Sequence, residues 1–305
     1  MCAAGIVGGG VLVYRPARMA QTAPPPLLRN VSDTARWVAC YRAEESERKD
    51  ALFDDPFARR LAGEHGFDLL DAMPKGRRYG AWPMVMRTVV FDRLLLERVK
   101  DGTDVVLNLA AGLDARPYRM PLPKDLLWVE VDLPGMIDYK TEVLAGETPV
   151  CRLERVSRDL ADAAARRDVF GGVGARGKNV LVLSEGLLIY LETEQVEELS
   201  RDLLAVPSVR TWVVDIASPA LRKLMLKTWG KSLHAAGAPF RFAPDEGPAF
   251  FERQGWRVVS TKSSFREAAD LKRLPFPISL FSVFPDPKAW NPKRIWGGTV
   301  LLERA

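Results

Sequence analysis

One glycine and two acidic side chains stand where a nucleoside-binding site would need them. Gly112 follows the apolar run Asp104–Leu109, while Glu130 and Asp132 close the next apolar run, which starts at Leu126. After the first strand of a doubly wound sheet, a glycine lets the backbone approach a ligand closely. An acid at the end of the second strand accepts hydrogen bonds from both hydroxyls of a ribose. These residues predict an adenosine-containing cofactor, with either Glu130 or Asp132 on the ribose.

The loop after the first apolar run also indicates which cofactor fits. A dinucleotide site carries three glycines in the pattern G-x-G-x-x-G, because its backbone must cradle a pyrophosphate. Here the three positions hold Ala110, Gly112 and Ala115, so one glycine of the three is present. S-adenosylmethionine has no phosphate and needs no such cradle. The loop therefore favours S-adenosylmethionine over NAD or FAD.

The elements that must position these residues are short strands alternating with helices. The predicted strands are 104–109, 126–131, 150–156, 179–184 and 209–216, followed by 256–260 and 299–303. Between the fourth and fifth runs, Val196, Leu199 and Leu203 recur at helical spacing. This alternation predicts βαβ units with right-handed crossovers and one doubly wound α/β sheet within residues 103–305.

Three further segments complete the predicted organisation. The apolar stretch Ala3–Val13 has no Lys or Arg before it, unlike an export signal, so residues 1–30 are interpreted as a flexible extension. Residues 31–102 predict a helical cap, in which Pro83 opens the last helix. Residues 264–296 are too long for a hairpin turn and predict a lid inserted before the last strand.

The lid segment is rich in aromatic and basic side chains. We expect its aromatic residues to form a wall of the acceptor pocket: Phe265, Phe276, Phe281, Phe284, Trp290 and Trp296. Its basic residues would meet an anionic substrate: Lys272, Arg273, Lys288 and Arg294. In the alternative interpretation, the aromatic residues belong to the core and the charges to its rim.

Six segments in order resemble the leucine carboxyl methyltransferase superfamily, most closely its bacterial, mycobacterial-type branch of S-adenosylmethionine-dependent O-methyltransferases. The segments are SDTARWVACYRAEESERKDALFDDPFARRLAG, RTVVFDRLL, NLAAGLDARPYRM, VEVDLPGMIDYK, SRDL and SEGLLIYL. The resemblance spans Ser32 to the C-terminus. It implies a Rossmann-like class I methyltransferase sheet with an N-terminal helical cap and an inserted lid.

The resemblance assigns three residues to the amino-acid end of the cofactor. An arginine matching Arg87 holds the cofactor's carboxylate, and Arg42 is the best match to an assisting basic residue in the first helix. Glu185, after the fourth strand, would lie near the cofactor's amino group and the acceptor. Arg42 has an alternative interpretation as a surface residue paired with Glu45. Arg87 lies in an otherwise apolar helix, so a bound carboxylate would compensate its charge and its loss would not destabilise the cofactor-free protein.

The resemblance assigns four residues to the nucleoside. Gly112 would lie against the cofactor, Asp132 would take the ribose, and Asp159 and Leu160 would take the adenine through its amino group and ring face. Asp159 has an alternative interpretation as the cap of a helix that starts near Ala161.

At Ala110 the sequence departs from the family's pattern, which usually carries glycine there. The change would be harmless if the backbone at Ala110 has a negative φ. Otherwise it would shift the methionine end of the cofactor.

The scarcity of bases favours a carboxylate as methyl acceptor. A carboxylate, with a pKa of about 4, is already ionised at neutral pH and needs no general base. The chain has two histidines, His65 and His234, and no evident His/Asp pair. A phenolic substrate would need a base, for which His234 and Tyr190 are the candidates. The predicted substrate is therefore a small-molecule carboxylate or phenol; the alternatives are a protein's C-terminal carboxylate and a non-catalytic cofactor-binding protein.

Composition excludes several other classes. The net charge of +5 is mild and the lysines and arginines are scattered, while Ser184–Leu187 lacks the N/D-P-P-aromatic run of amino-methylating nucleic-acid enzymes. Three cysteines without a CxxC pair and two histidines predict no metal site and fit a reducing cytoplasm. No run reaches the roughly 18 apolar residues of a membrane span. We therefore expect no nucleic-acid or membrane partner.

Overall fold

The computed structural model describes residues 31–72, 74–235, 237–283 and 290–305. The predicted 1–30 extension lies outside the described residues. Within them, one sheet contains seven strands in the order β3-β2-β1-β4-β5-β7-β6. The strands are β1 Val105–Leu109, β2 Leu127–Asp132, β3 Arg152–Ser157, β4 Val180–Ser184, β5 Val209–Ala217, β6 Trp256–Ser263 and β7 Gly297–Arg304.

The sheet is parallel except for β7, which runs antiparallel between β5 and β6. The strand order reverses beside β1, since β2 and β3 lie on one side of it and β4 and β5 on the other. This arrangement confirms the predicted doubly wound α/β sheet. It also places the carboxyl ends of β1 to β5 along one edge, where ligands bind in such folds.

The helices lie on both faces of the sheet and beyond its carboxyl edge. They are α1 Val31–Ser46, α2 Ala58–Asp71, α3 Pro74–Lys100, α4 Arg116–Arg119, α5 Pro134–Val143, α6 Ala163–Gly174, α7 Thr193–Leu204, α8 Pro219–Ala235, α9 Ala249–Glu252 and α10 Ser264–Asp270. Helices α6 and α7 cover one face, where Val196, Leu199 and Leu203 are buried as their spacing predicted. The second half of α3 covers the other face through Phe91 and Leu95.

Helix α3 begins at Pro74, so the prediction that Pro83 opens it was wrong; Pro83 lies inside the helix. The turns before Pro83 are held by tertiary contacts that local sequence does not report. A side chain at Gly80 would come within 2.8 Å of the Tyr41 hydroxyl, and Trp82 packs edge-on against Phe265. These contacts tie the first turns of α3 to α1 and α10.

The segment before the last strand docks on the cap and does not form one aromatic wall. Phe265 contacts Trp82, whereas Trp290 packs against Trp296 with ring centroids 5.1 Å apart. Phe276 and Phe281 are more than half exposed. Phe284 and Lys288 lie outside the described residues. The described aromatic residues therefore do not form one group. Phe265 packs on the cap, Trp290 and Trp296 pack on each other, and Phe276 and Phe281 are exposed.

Of the basic residues predicted to meet an anionic substrate, Arg273 already has partners. Its guanidinium pairs with Glu45, 3.0 Å away, and with Asp50, 3.1 Å away. These pairs fasten the insert to the end of α1, and the side chain is 9% exposed. The ion pairs of Arg273 therefore hold the predicted lid segment, residues 264–296, against the end of α1. Lys272 and Arg294 are exposed.

Candidate active site

Four of the predicted cofactor residues come together at the carboxyl edge of the sheet. The register pairs Leu109 of β1 with Val131 of β2, so the loop with Gly112 begins beside the end of β2. Asp132 pairs with Ser157 of β3, the residue two positions before Asp159. Glu185 follows the last residue of β4. The topology therefore brings the four to one edge, as the sequence predicted.

Asp132 binds the loop after β1 directly. Its Oδ2 accepts a hydrogen bond from the Gly112 N–H at 2.7 Å, and its Oδ1 accepts one from the Leu133 N–H at 2.7 Å. Burial raises the pKa of Asp132, and the two N–H donors offset part of that effect. Each carboxylate oxygen accepts two hydrogen bonds, so both keep capacity for a ribose hydroxyl.

Glu130 is not available to a ribose. It is fully buried, with Oε1 2.7 Å from Lys140 Nζ and Oε2 3.1 Å from Arg155 Nε. These pairs bind β2 to α5 and β3. Of the two acids that the sequence left open, the structure leaves Asp132 as the one that reaches the edge.

The loop after β1 adopts left-handed backbone at two positions. Gly112 has φ +50°, and Ala110 has φ +51°. Ala110 therefore does not have the negative φ that would make alanine harmless at this position. An alanine in this region costs roughly 1–2 kcal/mol relative to ordinary backbone.

We expect Ala110→Gly to raise the free energy of unfolding by about 0.5–1 kcal/mol, because relief of strain exceeds the entropy that glycine adds to the unfolded chain. Gly112→Ala should lower it by about 1–2 kcal/mol, since its added Cβ would have ordinary contact with Ala35 but the same strained φ. Denaturant unfolding of both variants checks this. A destabilised Ala110→Gly protein would show that the loop does not hold this conformation.

Asp159 and Leu160 lie just beyond β3. Asp159 is exposed, and its Oδ1 accepts a hydrogen bond from the Ala161 N–H at 2.9 Å. The N-cap of α6 is Asp162, so Asp159 closes a turn before the helix and is not its cap. Asp159 Oδ2 makes no hydrogen bond within the described part of the chain. The side chain of Leu160 is half-buried against the core beside α6.

Arg87 joins the ends of β4 and β5. Its Nε lies 3.1 Å from Glu185 Oε1, and its Nη1 lies 3.3 Å from Asp215 Oδ2. Asp215 in turn accepts a hydrogen bond from the Gly186 N–H at 2.6 Å. A Cβ at Gly186 would come within 3.0 Å of Arg87 Nη1, so glycine is what lets the guanidinium approach.

These contacts correct the expectation that Arg87 lacks a protein partner. Two carboxylates, Glu185 and Asp215, already compensate its charge. Burial alone would raise the pKa of Glu185, but Arg116 and Arg87 outweigh burial and lower it. Burial raises the pKa of Asp215 despite the nearby charge of Arg87. The role of Arg87 toward the cofactor's carboxylate stays a prediction.

We now expect Arg87→Met to destabilise the cofactor-free protein by about 3 kcal/mol, because two mostly buried carboxylates lose a shared partner. Arg93→Met is the matched control on the same helix. Arg93 is 43% exposed and pairs with Glu267, so its loss should cost less than about 1 kcal/mol. Equal unfolding midpoints for Arg87→Met and the wild-type protein would contradict the ion pairs seen here.

Arg116 is the centre of the charged residues at this edge. It is 3% exposed and lies 2.6 Å from Asp92, 2.8 Å from Asp114 and 2.8 Å from Glu185. Burial opposes ionisation of Asp114, but Arg116 and Lys140 hold its pKa well below the ordinary value. Arg116 therefore ties α3, the loop after β1 and the end of β4 into one ionic cluster.

Arg42 supports the loop and is not a surface residue. It is buried, with Nε 2.8 Å from Asp55 Oδ2, so its alternative interpretation as a partner of Glu45 was wrong. Its Nη2 donates to the Leu113 carbonyl at 2.6 Å. Through Leu113 this guanidinium positions the residue next to Gly112. A direct contact of Arg42 with the cofactor stays a prediction.

The structure contains a His/Asp pair, which corrects the expectation of none, but among the described contacts neither histidine forms a hydrogen bond with Gly112, Asp132 or Glu185. His65 Nε2 lies 3.1 Å from Asp33 Oδ1, between α2 and α1. His234 is exposed in the last turn of α8. Tyr190 follows β4, its hydroxyl lies 3.4 Å from Thr34 Oγ1, and burial raises its pKa. The Tyr190 phenol therefore stays protonated at neutral pH and donates a hydrogen bond; it does not take a proton.

Sequence reasoning missed Asp92, Arg116 and Asp215 as members of the site. Each interrupts or ends an apolar run, which was the signal available: Asp92 in RTVVFDRLL, Arg116 in GLDARPY and Asp215 in WVVDI. Arg87 was singled out by the family resemblance together with that signal. The same criterion applied to every charge within an apolar run would have found all four.

Comparison with protein families matches residues 35–203 to the model of leucine carboxyl methyltransferase. A candidate S-adenosyl-L-methionine-dependent methyltransferase of Parafrankia sp. is 38% identical over 197 residues, 61% of this chain and 63% of that protein. One of Mycolicibacterium paratuberculosis is 30% identical over 257 residues, 76% of this chain and 83% of that protein. A Streptomyces coelicolor relative is 37% identical over 175 residues, 54% of this chain and 61% of that protein. The match covers less than two thirds of the length of the Parafrankia protein and of the Streptomyces protein.

Solved structures share the fold. A DUF574-family protein of Streptomyces avermitilis gives a TM-score of 0.57 at 15% identity, covering 89% of this chain and 97% of that one. A candidate methyltransferase of Thermobifida fusca gives 0.55 at 15% identity, covering 93% and 99%. These likenesses confirm the Rossmann-like fold class predicted from the sequence. In the described part of the chain, no helix is long and apolar enough to cross a membrane.

Proposed function

The chain belongs to the leucine carboxyl methyltransferase family, and on that premise we propose that it transfers a methyl group from S-adenosyl-L-methionine to a carboxylate oxygen of a small molecule. The observation that carries the proposal is the edge where Asp132, Gly112, Asp159 and Glu185 converge. Family membership and the named relatives support the methyl donor. The acceptor is inferred from the chemistry of the site.

The residues at the edge fit this cofactor. Asp132 has two partly used carboxylate oxygens for the ribose hydroxyls, and Asp159 Oδ2 would accept from the adenine amino group. The side chain of Leu160 supplies an apolar surface for the ring. Near the methionine end, Glu185 offers a carboxylate for the amino group and Arg87 a guanidinium for the carboxylate. Glu185 and Arg87 would then rearrange their present pairing to admit these groups.

Among the described residues, neither histidine forms a hydrogen bond with the residues of the edge, which supports a carboxylate acceptor. When bound, the cofactor supplies an electrophilic methyl carbon on a positively charged sulfur. A carboxylate acceptor is already ionised at neutral pH, so transfer of the methyl group to its oxygen would need no proton to be removed. The chain therefore needs to align the acceptor and exclude water, with no residue acting as a base. Tyr190, protonated and half-buried, is placed to donate a hydrogen bond at this edge.

The product identifies the acceptor class. A methyl ester releases methanol in mild alkali, whereas an aryl methyl ether does not. We expect alkali-labile product with small carboxylates, and a single-turnover rate without a basic limb near pH 6–7, because no histidine has to lose a proton. An alkali-stable product would refute a carboxylate acceptor. The matched control is His65→Gln, which should leave the rate unchanged.

Two alternatives remain as outcomes of the same experiment. Turnover on peptides with a free C-terminus, and not on small carboxylates, would indicate a protein carboxyl methyltransferase. Cofactor binding without turnover on either panel would indicate a non-catalytic binding protein. We include a cytoplasmic location in the proposal, because three cysteines without a CxxC pair fit a reducing compartment.

A further inference from the structure

A cavity lies at the opposite edge of the sheet from the candidate active site. Its volume is about 300 Å³, and its walls come from the end of α3, the starts of β4 and β5 and the end of β7. Because β4 and β5 are parallel, their amino ends lie a full strand away from the edge that carries Glu185 and Asp215. The cavity is therefore separate from the proposed cofactor site.

A β-bulge turns two consecutive residues into this cavity. Val180 of β4 pairs with Val209, but the next residue, Leu181, pairs with Thr211. Arg210 is thus the extra residue, and the bulge breaks the alternation of side chains along β5. Both Arg210 and Thr211 line the cavity as a result. Bulges of this kind commonly re-aim side chains beside functional sites.

The acids in the cavity wall are already paired. Arg98 Nη2 lies 2.7 Å from Asp101 Oδ2, and Arg98 Nη1 lies 3.2 Å from Glu303 Oε1. Glu303 also pairs with Arg257. These two carboxylates are compensated by Arg98 and Arg257 and do not neutralise further positive charge in the cavity.

Two guanidiniums in the cavity have no carboxylate partner. Arg304 donates only to main-chain carbonyls of Leu204, Val206 and Val209, at 2.7–3.1 Å. Arg210 makes no ion pair or hydrogen bond with any residue in the described ranges. Burial and the positive charge of Arg210 lower the pKa of Arg304. The terminal carboxylate of Ala305, which also lines the cavity, offsets one of these two charges, and one excess positive charge is left.

Two buried polar atoms at the same cavity lack a hydrogen-bond partner. They are Thr211 Oγ1 and Arg98 Nε. Thr211 is 6% exposed, so its hydroxyl gains little from bulk water. Both atoms are shielded from the cavity as well as from bulk water, so they are not counted among the groups that an anion in the cavity would contact.

We propose that this cavity is a second ligand site, which binds the phosphate group of a small phosphate ester through Arg210 and Arg304. Guanidinium groups match phosphate oxygens in charge and in geometry, which favours phosphate over a carboxylate of the same size. The volume of about 300 Å³ lies at the lower end for ligand pockets and holds more than the ion alone. The remaining space accommodates the ester's organic group.

Calorimetric titration with ribose 5-phosphate and with inorganic phosphate, at constant ionic strength, tests the proposal. We expect one site, tighter for the ester than for the free ion. Arg210→Gln should raise the dissociation constant at least about tenfold, because it removes a charged donor to the phosphate. Arg167→Gln, which removes the same charge from an exposed position on α6, should leave binding unchanged.

Four results would overturn the proposal. The first is no binding of either probe below about 10 mM. The second is equal weakening by Arg167→Gln, which would reduce the effect to net charge. The third is displacement of ribose 5-phosphate by saturating S-adenosylhomocysteine, which would place the phosphate in the cofactor site. Binding of inorganic phosphate without the ester would likewise overturn the assignment of an ester.

Discussion

Methionine in place of Arg116 is expected to lower the free energy of unfolding by about 3–5 kcal/mol at neutral pH. The change leaves Asp92, Asp114 and Glu185 clustered at a largely buried position without the guanidinium that touches all three. Denaturant unfolding measures the effect. Arg167→Met is the control, since Arg167 is 59% exposed and its loss should stay within about 0.5 kcal/mol.

Lowering the pH should remove most of the loss in unfolding free energy that Arg116→Met causes. Burial opposes ionisation, but Arg116 outweighs it and holds the pKa values of Asp114 and Glu185 below those of unfolded carboxyls, about 4. Their stabilisation is therefore present above about pH 4 and is lost as the pH falls through the folded pKa values. The difference between wild type and variant should be largest at pH 6–8. A difference that stays constant from pH 7 to about pH 3 would exclude ionic compensation as its cause.

Asp132→Asn should weaken binding of S-adenosylhomocysteine about tenfold to a hundredfold, because the ribose hydroxyls lose a charged acceptor. The amide oxygen still accepts one of the N–H groups of Gly112 and Leu133, so the fold should survive. Calorimetry gives the dissociation constant, and a melting curve confirms that the variant is folded.

Glu130→Gln is the matched control for Asp132→Asn on the same strand. Glu130 is fully buried between Lys140 and Arg155, so its change should lower the melting temperature and leave the cofactor affinity of the folded protein intact. The opposite pattern, with affinity lost in Glu130→Gln and kept in Asp132→Asn, would exchange the roles of these two acids.

The centre of the sheet was predictable from the sequence because β1, β2 and β4 are buried on both faces. Such strands are continuous apolar runs, and β1 and β4 begin one residue later than predicted. The edge residues Gly112, Asp132 and Glu185 follow from the same runs, since parallel strands end along one edge. The α3 start was missed because contacts of Gly80 and Trp82 with distant residues decide it.

The ionic cluster was not predictable, because packing decides which charges meet. Asp92, Arg116, Glu185 and Asp215 lie far apart in sequence and converge only when α3 packs on the sheet. Local reasoning saw Arg87 in an apolar helix and supplied a ligand as its partner, whereas the fold supplies two carboxylates. The positive φ of Ala110 was likewise invisible, because a strand-ending loop permits either sign.

Titration of the wild-type protein with S-adenosylhomocysteine tests the cofactor site most directly. One ligand should bind per chain and stabilise the fold by RT ln(1 + [L]/Kd), about 2.7 kcal/mol when the ligand is at about 100 times its dissociation constant. NAD at the same concentration should have no effect. An unchanged melting temperature at about 1 mM S-adenosylhomocysteine or S-adenosylmethionine would contradict the assignment of this edge to the cofactor.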